Sequence, residues 1–317
     1  MRSAPAKDIF VSIIIPCYNA ERFVGDAIRS ALEQTYLGRE VIVVNDGSTD
    51  GSLEVMKGFG DAIRVETGPN RGGCAARNRG MELAKGELLQ FHDADDVLHP
   101  EKLARQVPLA VKHRNAIVYC NYSFIDTEGK PASSNGQHAP LPKGEDSVVF
   151  VLQNAFISTP GPLLWREDVM SIGGFRENLS CAQERDLHLR LACEGLEFRH
   201  LPEELIFIRR LASGVSSNFI CVLDQYQDIV AEVHRILEAD GRLNDERLQA
   251  LAGMLARGAR SYLRNGQQER GLNYFRLARE MHPAGGIRQA YPKLGRVLHR
   301  LIGPIWTHRL AACRHRS

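Results

Sequence analysis

The chain has 317 residues, 44% of them apolar and 25% charged, with a formal net charge of +2. That is ordinary for a soluble globular protein, and the length exceeds the roughly 250–300 residues at which single cores stop growing. One catalytic-sized domain with a smaller appendage is therefore expected, and nothing in the charge balance calls for a nucleic-acid partner. Seven scattered cysteines without a C-x-x-C pair argue against a zinc site or a disulfide framework and for reduced thiols. The stretch from Met1 to Asp8 is polar, and no apolar run approaches the roughly 20 residues of a membrane-spanning helix. The expected location is the cytoplasm, with a peripheral position on the cytosolic face of a membrane as the variant.

Val11-Ser12-Ile13-Ile14-Ile15 is a β-branched run ended by Pro16, and reads as a buried strand. Asn19 stands where a cap would precede a helix carrying Phe23, Ala27, Ile28, Ala31 and Leu32 on one face. A second buried strand, Val41 to Val44, runs into Asn45-Asp46-Gly47-Ser48-Thr49-Asp50, and a helix is expected from Asp50 to Lys57. A short strand near Ile63 to Val65, the Gly72-Gly73 turn and a helix from about Ala75 to Ala84 follow. Glu87 to His92 is a further apolar strand, ending at Asp93-Ala94-Asp95-Asp96. This β-α alternation predicts a Rossmann-like α/β fold with a mostly parallel sheet and helices on both faces.

Beyond it, Ile117 to Cys120 reads as buried, and Pro131 to Gly144 as a long exposed loop of the kind that covers a site. From about Phe219 the pattern is helical, with Tyr226, Ile229, Val230, Val233, Ile236 and Leu237 at helix spacing. The expected division is a catalytic domain over 1–217 and a helical C-terminal extension over 218–317. Within the extension, Ala259, Tyr262, Gly266, Tyr274, Phe275 and Ala278 loosely resemble one tetratricopeptide-like hairpin. A single copy cannot form a solenoid. No acid follows Glu280, and Tyr291 to Arg314 mixes apolar residues with arginines, a pattern compatible with a basic surface helix on anionic lipid.

The chemistry gathers where strands end. Carboxylates at the mouth of a parallel strand are placed to hold a divalent cation, and oxygen donors suit Mg²⁺ or Mn²⁺. Tyr18 can stack on a planar base. Asp46 can accept a hydrogen bond from an imide N–H such as uracil N3–H, a charge-assisted bond of about 1.5–3 kcal/mol. Arg77, in the first turn of its helix, is disfavoured there by the helix dipole, which calls for a ligand oxygen or a site acid as its partner. Glu184 and Asp186 open another helix, and one of them can serve as general base on an acceptor hydroxyl. G-x-G-x-x-G is absent after the strands, which argues against a dinucleotide oxidoreductase.

Taken together, P-C-Y-N, N-D-G-S-T-D, N-R-G-G-x-x-A-R-N-x-G, F-H-D-A-D-D and G-G-F…Q-E-R-D-L-x-L-R resemble the family 2 nucleotide-sugar glycosyltransferases of GT-A fold, over about residues 9 to 217. The resemblance implies an inverting, metal-assisted transfer from a nucleotide-sugar donor to a carbohydrate or lipid-linked acceptor, in polysaccharide or glycolipid synthesis. It implies that Asp46 and Arg77 contact the base, with Pro16, Tyr18 and Asn19 around it. Asp93 and Ala94 would lie near ribose and phosphate, Asp95 on the metal, and Glu184 would be the base, with Asp186 in reserve. UDP is the first donor expected, and dTDP offers the same N3–H. Relatives carry a His near the end of the domain as a further metal contact, where this chain has Leu211; Arg209 or Arg210 would then help with phosphate charge. That departure, with Glu184 where the commoner base is Asp, motivates the competing expectation of a nucleotide-sugar-binding scaffold without turnover.

Overall fold

The computed structural model describes residues 9–154, 157–211 and 219–283. In chain order the elements are β1 (Val11–Cys17), α1 (Val24–Leu32), β2 (Arg39–Asp46), α2 (Ser52–Lys57), β3 (Arg64–Gly68), α3 (Gly73–Leu83), β4 (Leu88–Phe91), β5 (Val97–Leu98), α4 (Lys102–Lys112) and β6 (Ala116–Ile125). Then come β7 (Pro131–Gly136), α5 (Ser147–Asn154), β8 (Pro162–Trp165), α6 (Arg166–Ser171), α7 (Gln183–Cys193), β9 (Glu197–Arg209), α8 (Phe219–Asp224), α9 (Tyr226–Ala239), α10 (Asp245–Arg264) and α11 (Gln268–Met281). The described residues group into two units, one of 9–142 and 157–211, the other of 143–154 and 219–283.

The first unit is built on a sheet of strand order β3-β2-β1-β4-β8-β6-β9-β5, with β7 added to β6. Strand β1 shows why: Val11, Ile13, Ile14 and Ile15 are fully buried, so side chains pointing to both faces are covered. Its neighbours β2 and β4 pair with it in parallel, as β3 does with β2. Helix α3 lies close on this sheet because Gly80 has no side chain: a Cβ there would sit 2.3 Å from Ile14 Cγ2.

The parallel expectation holds for this half and for the β6–β9 pair. Strand β8 enters antiparallel between β4 and β6, β5 pairs antiparallel with β9, and the sheet is mixed. The first six residues of the expected Pro131–Gly144 loop are strand β7, hydrogen-bonded antiparallel to β6. Strand β9 has no alternation in Glu197–Arg209 and contains Pro202; it follows β6 through register shifts at Cys120–Asn121 and Asn121–Tyr122. Among the described thiols, Cys17, Cys74, Cys120 and Cys193 are free.

Three histidines are buried in the first unit, and burial pulls their pKa down: His92 and His138 to about 4, His188 to about 3. At His138 one tautomer is fixed. Nδ1–H donates to Cys120 O at 2.6 Å while Nε2 accepts the Ser158 amide N–H at 3.1 Å, so a second proton would break the Ser158 bond. The folded pKa is lowered, so this stabilisation is complete above the unfolded value near 6.5 and is lost as pH falls toward 4. The raised pKa values of Asp95, Asp96 and Glu184 act in the opposite sense. Comparison with His138→Gln cancels them: between pH 7 and 5 the wild type should lose about 2 kcal/mol more unfolding free energy than the variant. Urea titrations at the two pH values measure it.

In the second unit, α5 joins the C-terminal helices. Arg247 Nη2 meets Asp146 Oδ2 at 2.7 Å, and Arg257 donates to Leu152 O. Asn244 caps α10 by accepting the Arg247 N–H at 2.9 Å. The α10–α11 hairpin forms as expected, with Tyr262 and Tyr274 edge to face at 5.0 Å. No helix among the described residues is long and apolar enough to cross a membrane. The basic helix expected over 291–314 lies outside the described residues, as does the boundary expected at 217/218.

Candidate active site

Strands β1, β2 and β4 are parallel, so the loops leaving them open on one edge of the sheet. The first two interlock. Asn19 N–H donates to Ser48 Oγ at 3.1 Å and Asn19 Oδ1 accepts the Thr49 N–H at 2.8 Å. Ala20 N–H reaches Ser52 Oγ at 2.9 Å, and Glu21 N–H reaches Asp50 Oδ2 at 3.1 Å. Asn19 is therefore no helix cap: it holds φ 50°, a left-handed conformation that Asn tolerates, and α1 starts at Val24. Beside this joint Pro16 is half-buried and the Tyr18 ring is 52% exposed, open to a planar partner.

Asp46 is buried, and both carboxylate oxygens accept backbone amides of the next loop. Arg71 N–H reaches Oδ1 and Gly72 N–H reaches Oδ2, each at 2.8 Å. The residue expected to read a base thus also sets the approach to α3, and a base N–H would share an oxygen with that loop.

Helix α3 begins at Gly73, which places Arg77 in its second turn rather than the first. Its partners are site groups, as the dipole argument required. Nη2 meets Asp93 Oδ1 at 2.6 Å, Nη1 donates to Gln183 Oε1 at 2.8 Å, and the guanidinium lies 5.5 Å from the Phe175 ring centroid. Arg77 therefore joins the end of β4 to the start of α7.

The four-residue acidic turn is anchored from behind. Arg209 N–H donates to Asp96 Oδ1 at 2.9 Å and Arg209 Nε to the Asp95 carbonyl at 2.9 Å. The same guanidinium also meets the carbonyls of Asp126 and Thr127 and, at 3.1 Å, the carboxylate of Asp26. With its side chain 1% exposed, Arg209 cannot help an incoming phosphate; that expectation is corrected. Ala94 is buried and Asp93 half-buried. Burial first, and the Asp93 charge second, push the Asp95 carboxyl up to about 6. Asp96 is held well above the ordinary range for the same two kinds of cause. His92 lies fully buried with Nε2 3.4 Å from Ser30 Oγ, a core contact.

Helix α7 starts after Ala182, which holds φ 55° without being glycine, a strained position of the sort that collects at functional sites. Glu184 follows, half-buried, its pKa raised by burial and by Asp93 against the opposing pull of Arg77 and Arg185. Asp186 is enclosed. Arg190 Nε donates to its Oδ2 at 2.8 Å, and Arg176 Nε lies 3.1 Å from its Oδ1.

A division among the acids emerges. Asp46, Asp93, Asp96 and Asp186 are each tied to an amide or a guanidinium. Asp95 and Glu184 accept no side-chain bond or ion pair from another described residue, and both feel Arg77 and Asp93 electrostatically. Residue typing missed Gln183 as the link to Arg77 and Asn78 as the clasp on Phe175. Their only signal was membership in the same motifs as Glu184 and Arg77.

Residues 12–172, just over half of the chain, match the profile described as glycosyl transferase family 2. The chain belongs to that family. This glycosyltransferase is 32% identical over 223 residues to an uncharacterized glycosyltransferase of Rickettsia prowazekii, covering 69% of this chain and 70% of that one. It is 29% identical over 212 residues to TuaG of Bacillus subtilis, a protein named for teichuronic acid biosynthesis, covering 66% of this chain and 82% of that one. Against a relative from Haemophilus influenzae, 40% identical over 123 residues, it covers 49% of that protein. Among solved structures, Staphylococcus aureus TarS 1–349 in complex with UDP-GlcNAc superposes with a TM-score of 0.73 at 18% identity, over 97% of this chain and 92% of that one. The Pyrobaculum calidifontis mannosyltransferase PcManGT, in complex with GDP-Man and Mn²⁺, gives 0.56 at 18% identity, over 93% and 87%. These likenesses confirm the GT-A fold.

Proposed function

We propose that this family 2 glycosyltransferase transfers a hexose from a UDP-sugar to an acceptor hydroxyl with inversion at the anomeric carbon. The observation that carries the reading is the pair of uncommitted, desolvated carboxylates, Asp95 and Glu184, both within electrostatic reach of Arg77, which itself bonds Asp93 and Gln183. Tyr18 supplies a stacking face for the base, with Pro16 and Asn19 beside it, and Asp46 an imide acceptor at the edge of the loop it fixes. Arg77 holds Asp93 where ribose and phosphate would pass, next to Ala94. TarS, bound to UDP-GlcNAc in its own structure, makes UDP the donor nucleotide to test first.

The fit of a cation is partial but chemically apt. Carboxylate oxygens are hard donors that suit Mg²⁺ or Mn²⁺, and a positive charge would relieve the repulsion that lifts Asp95. Among the described residues no group of three or more His, Cys, Asp or Glu could hold a metal ion. Asp95 would therefore hold it together with diphosphate oxygens and water. When bound, a cation supplies charge stabilisation to the departing diphosphate. Arg77 orients Asp93, Phe175 supports the guanidinium, and Glu184 takes the proton of the acceptor hydroxyl as its oxygen attacks the face opposite the nucleotide. Raised basicity suits that task, because a base is most effective with a pKa near the working pH.

The acceptor is a carbohydrate or lipid-linked glycan of polysaccharide or glycolipid synthesis, a reading that TuaG's name supports, handled in the cytoplasm or at its membrane face. The test is release of the nucleoside diphosphate from a panel of UDP-, dTDP- and GDP-sugars by the full chain, with Mn²⁺ or Mg²⁺. Release from UDP-sugars above the other two classes is expected. Nucleotide binding with no turnover across the panel and a set of glycan acceptors would favour a scaffold instead.

A further inference from the structure

We infer that Asp186 is a positioning residue, the centre of a buried clamp that seats Arg77, and not a reserve base; the inference rests on the nucleotide-sugar reading for Arg77. The path can be followed atom by atom. Asp186, its side chain 1% exposed, holds Arg190 through Nε–H at 2.8 Å, and the two outer nitrogens of Arg190 donate to Ile172 O at 2.9 Å and Gly174 O at 2.7 Å. Arg190 thus spends its whole fork on one carboxylate and two backbone carbonyls. Arg176 adds a second positive charge 3.1 Å from Asp186 Oδ1.

The turn that Arg190 grips is shaped for one arrangement. Gly173 and Gly174 hold φ values of 77° and 70°, and a Cβ on Gly174 would lie 2.6 Å from Asn78 Oδ1. The Asn78 amide then clasps the next residue on both sides: Nδ2 donates to Phe175 O at 2.8 Å, and Oδ1 accepts Phe175 N–H at 2.8 Å. The Phe175 ring is left against Phe91 at 4.9 Å, edge to face, and under the Arg77 guanidinium at 5.5 Å. Arg77 in turn bonds Asp93 and Gln183. Helix α7 is so tied to α3 by two routes, one through Gln183 and one through Asp186, Arg190 and Phe175. Both converge on the side chain that faces the donor site.

A base and a clamp respond differently to substitution. The clamp predicts that Asp186→Asn and Arg190→Lys weaken binding of UDP with Mn²⁺ by about tenfold or more, since small misplacements of an orienting group carry effects of that size. Arg190→Lys keeps the ion pair and loses the reach to both carbonyls, so it remains informative where Asp186→Asn fails to fold. Glu184→Gln should bind UDP as the wild type does. Hydrogen–deuterium exchange of the intact protein gives a readout free of ligand: amides of 172–176 and 73–78 should exchange faster in both clamp variants and not in Glu184→Gln. Wild-type UDP affinity in Asp186→Asn and Arg190→Lys would overturn the inference. If the wild type itself bound no UDP, the donor reading would fall, and unchanged exchange at 172–176 and 73–78 would overturn the clamp as well.

Discussion

Replacing Glu184 by Gln is expected to lower turnover by about 10²–10⁴ while UDP affinity stays at the wild-type value. Gln has nearly the same shape and cannot accept the hydroxyl proton. The separation of the two effects follows from the wiring of the site. Glu184 gives no side-chain bond to Arg77, Asp93 or the loops around Tyr18, so removing its charge leaves the donor-side contacts standing. A parallel loss of binding would mean that Glu184 helps to hold the nucleotide. Single-turnover rates with a UDP-sugar, alongside calorimetric UDP binding, distinguish the two.

Asp95→Asn is the second large effect. It should abolish the tightening of UDP binding by Mn²⁺ and lower turnover by at least about a hundredfold, because a cation at a leaving diphosphate contributes several kcal/mol. The same substitution should raise the melting temperature of the metal-free protein. Asp95 is charged at neutral pH despite burial and despite the neighbouring Asp93 charge, which together lift its carboxyl to about 6. A group whose folded pKa is raised costs stability above that pH, and an amide removes the cost. Stability gained while function is lost is the pattern of a site strained for its ligand. A melting temperature lowered by Asp95→Asn would contradict it.

The parts of the fold set by local pattern were legible in the sequence. β-branched runs at Val11–Ile15 and Val41–Val44 gave β1 and β2, and the acids fell at the end of β4 as read. What failed was non-local. Strand β8 is four residues, Pro162–Trp165, and only its pairing with Leu88 and Leu89 on one side and Val118 and Tyr119 on the other defines it. Strand β9 carries charges along its length and takes its register from β6. Within the site, the motifs located the loops but could not say which acid was committed. Asp46 and Asp95 are the same residue type at two strand ends, and the difference lies in the backbone amides of Arg71 and Gly72, 25 and 26 positions away. Glu184 and Asp186 are likewise separated only by Arg176 and Arg190 closing on the second of them. Arg209 was misread for a related reason: a strand-end arginine looks available until its carbonyl partners are known.

The most direct measurement is the position of Mn²⁺ in crystals grown with UDP, located by anomalous scattering. The ion is expected on an Asp95 carboxylate oxygen and the diphosphate, with Glu184 facing the open side. Mn²⁺ held elsewhere, with Asp95 turned from the diphosphate, would contradict it.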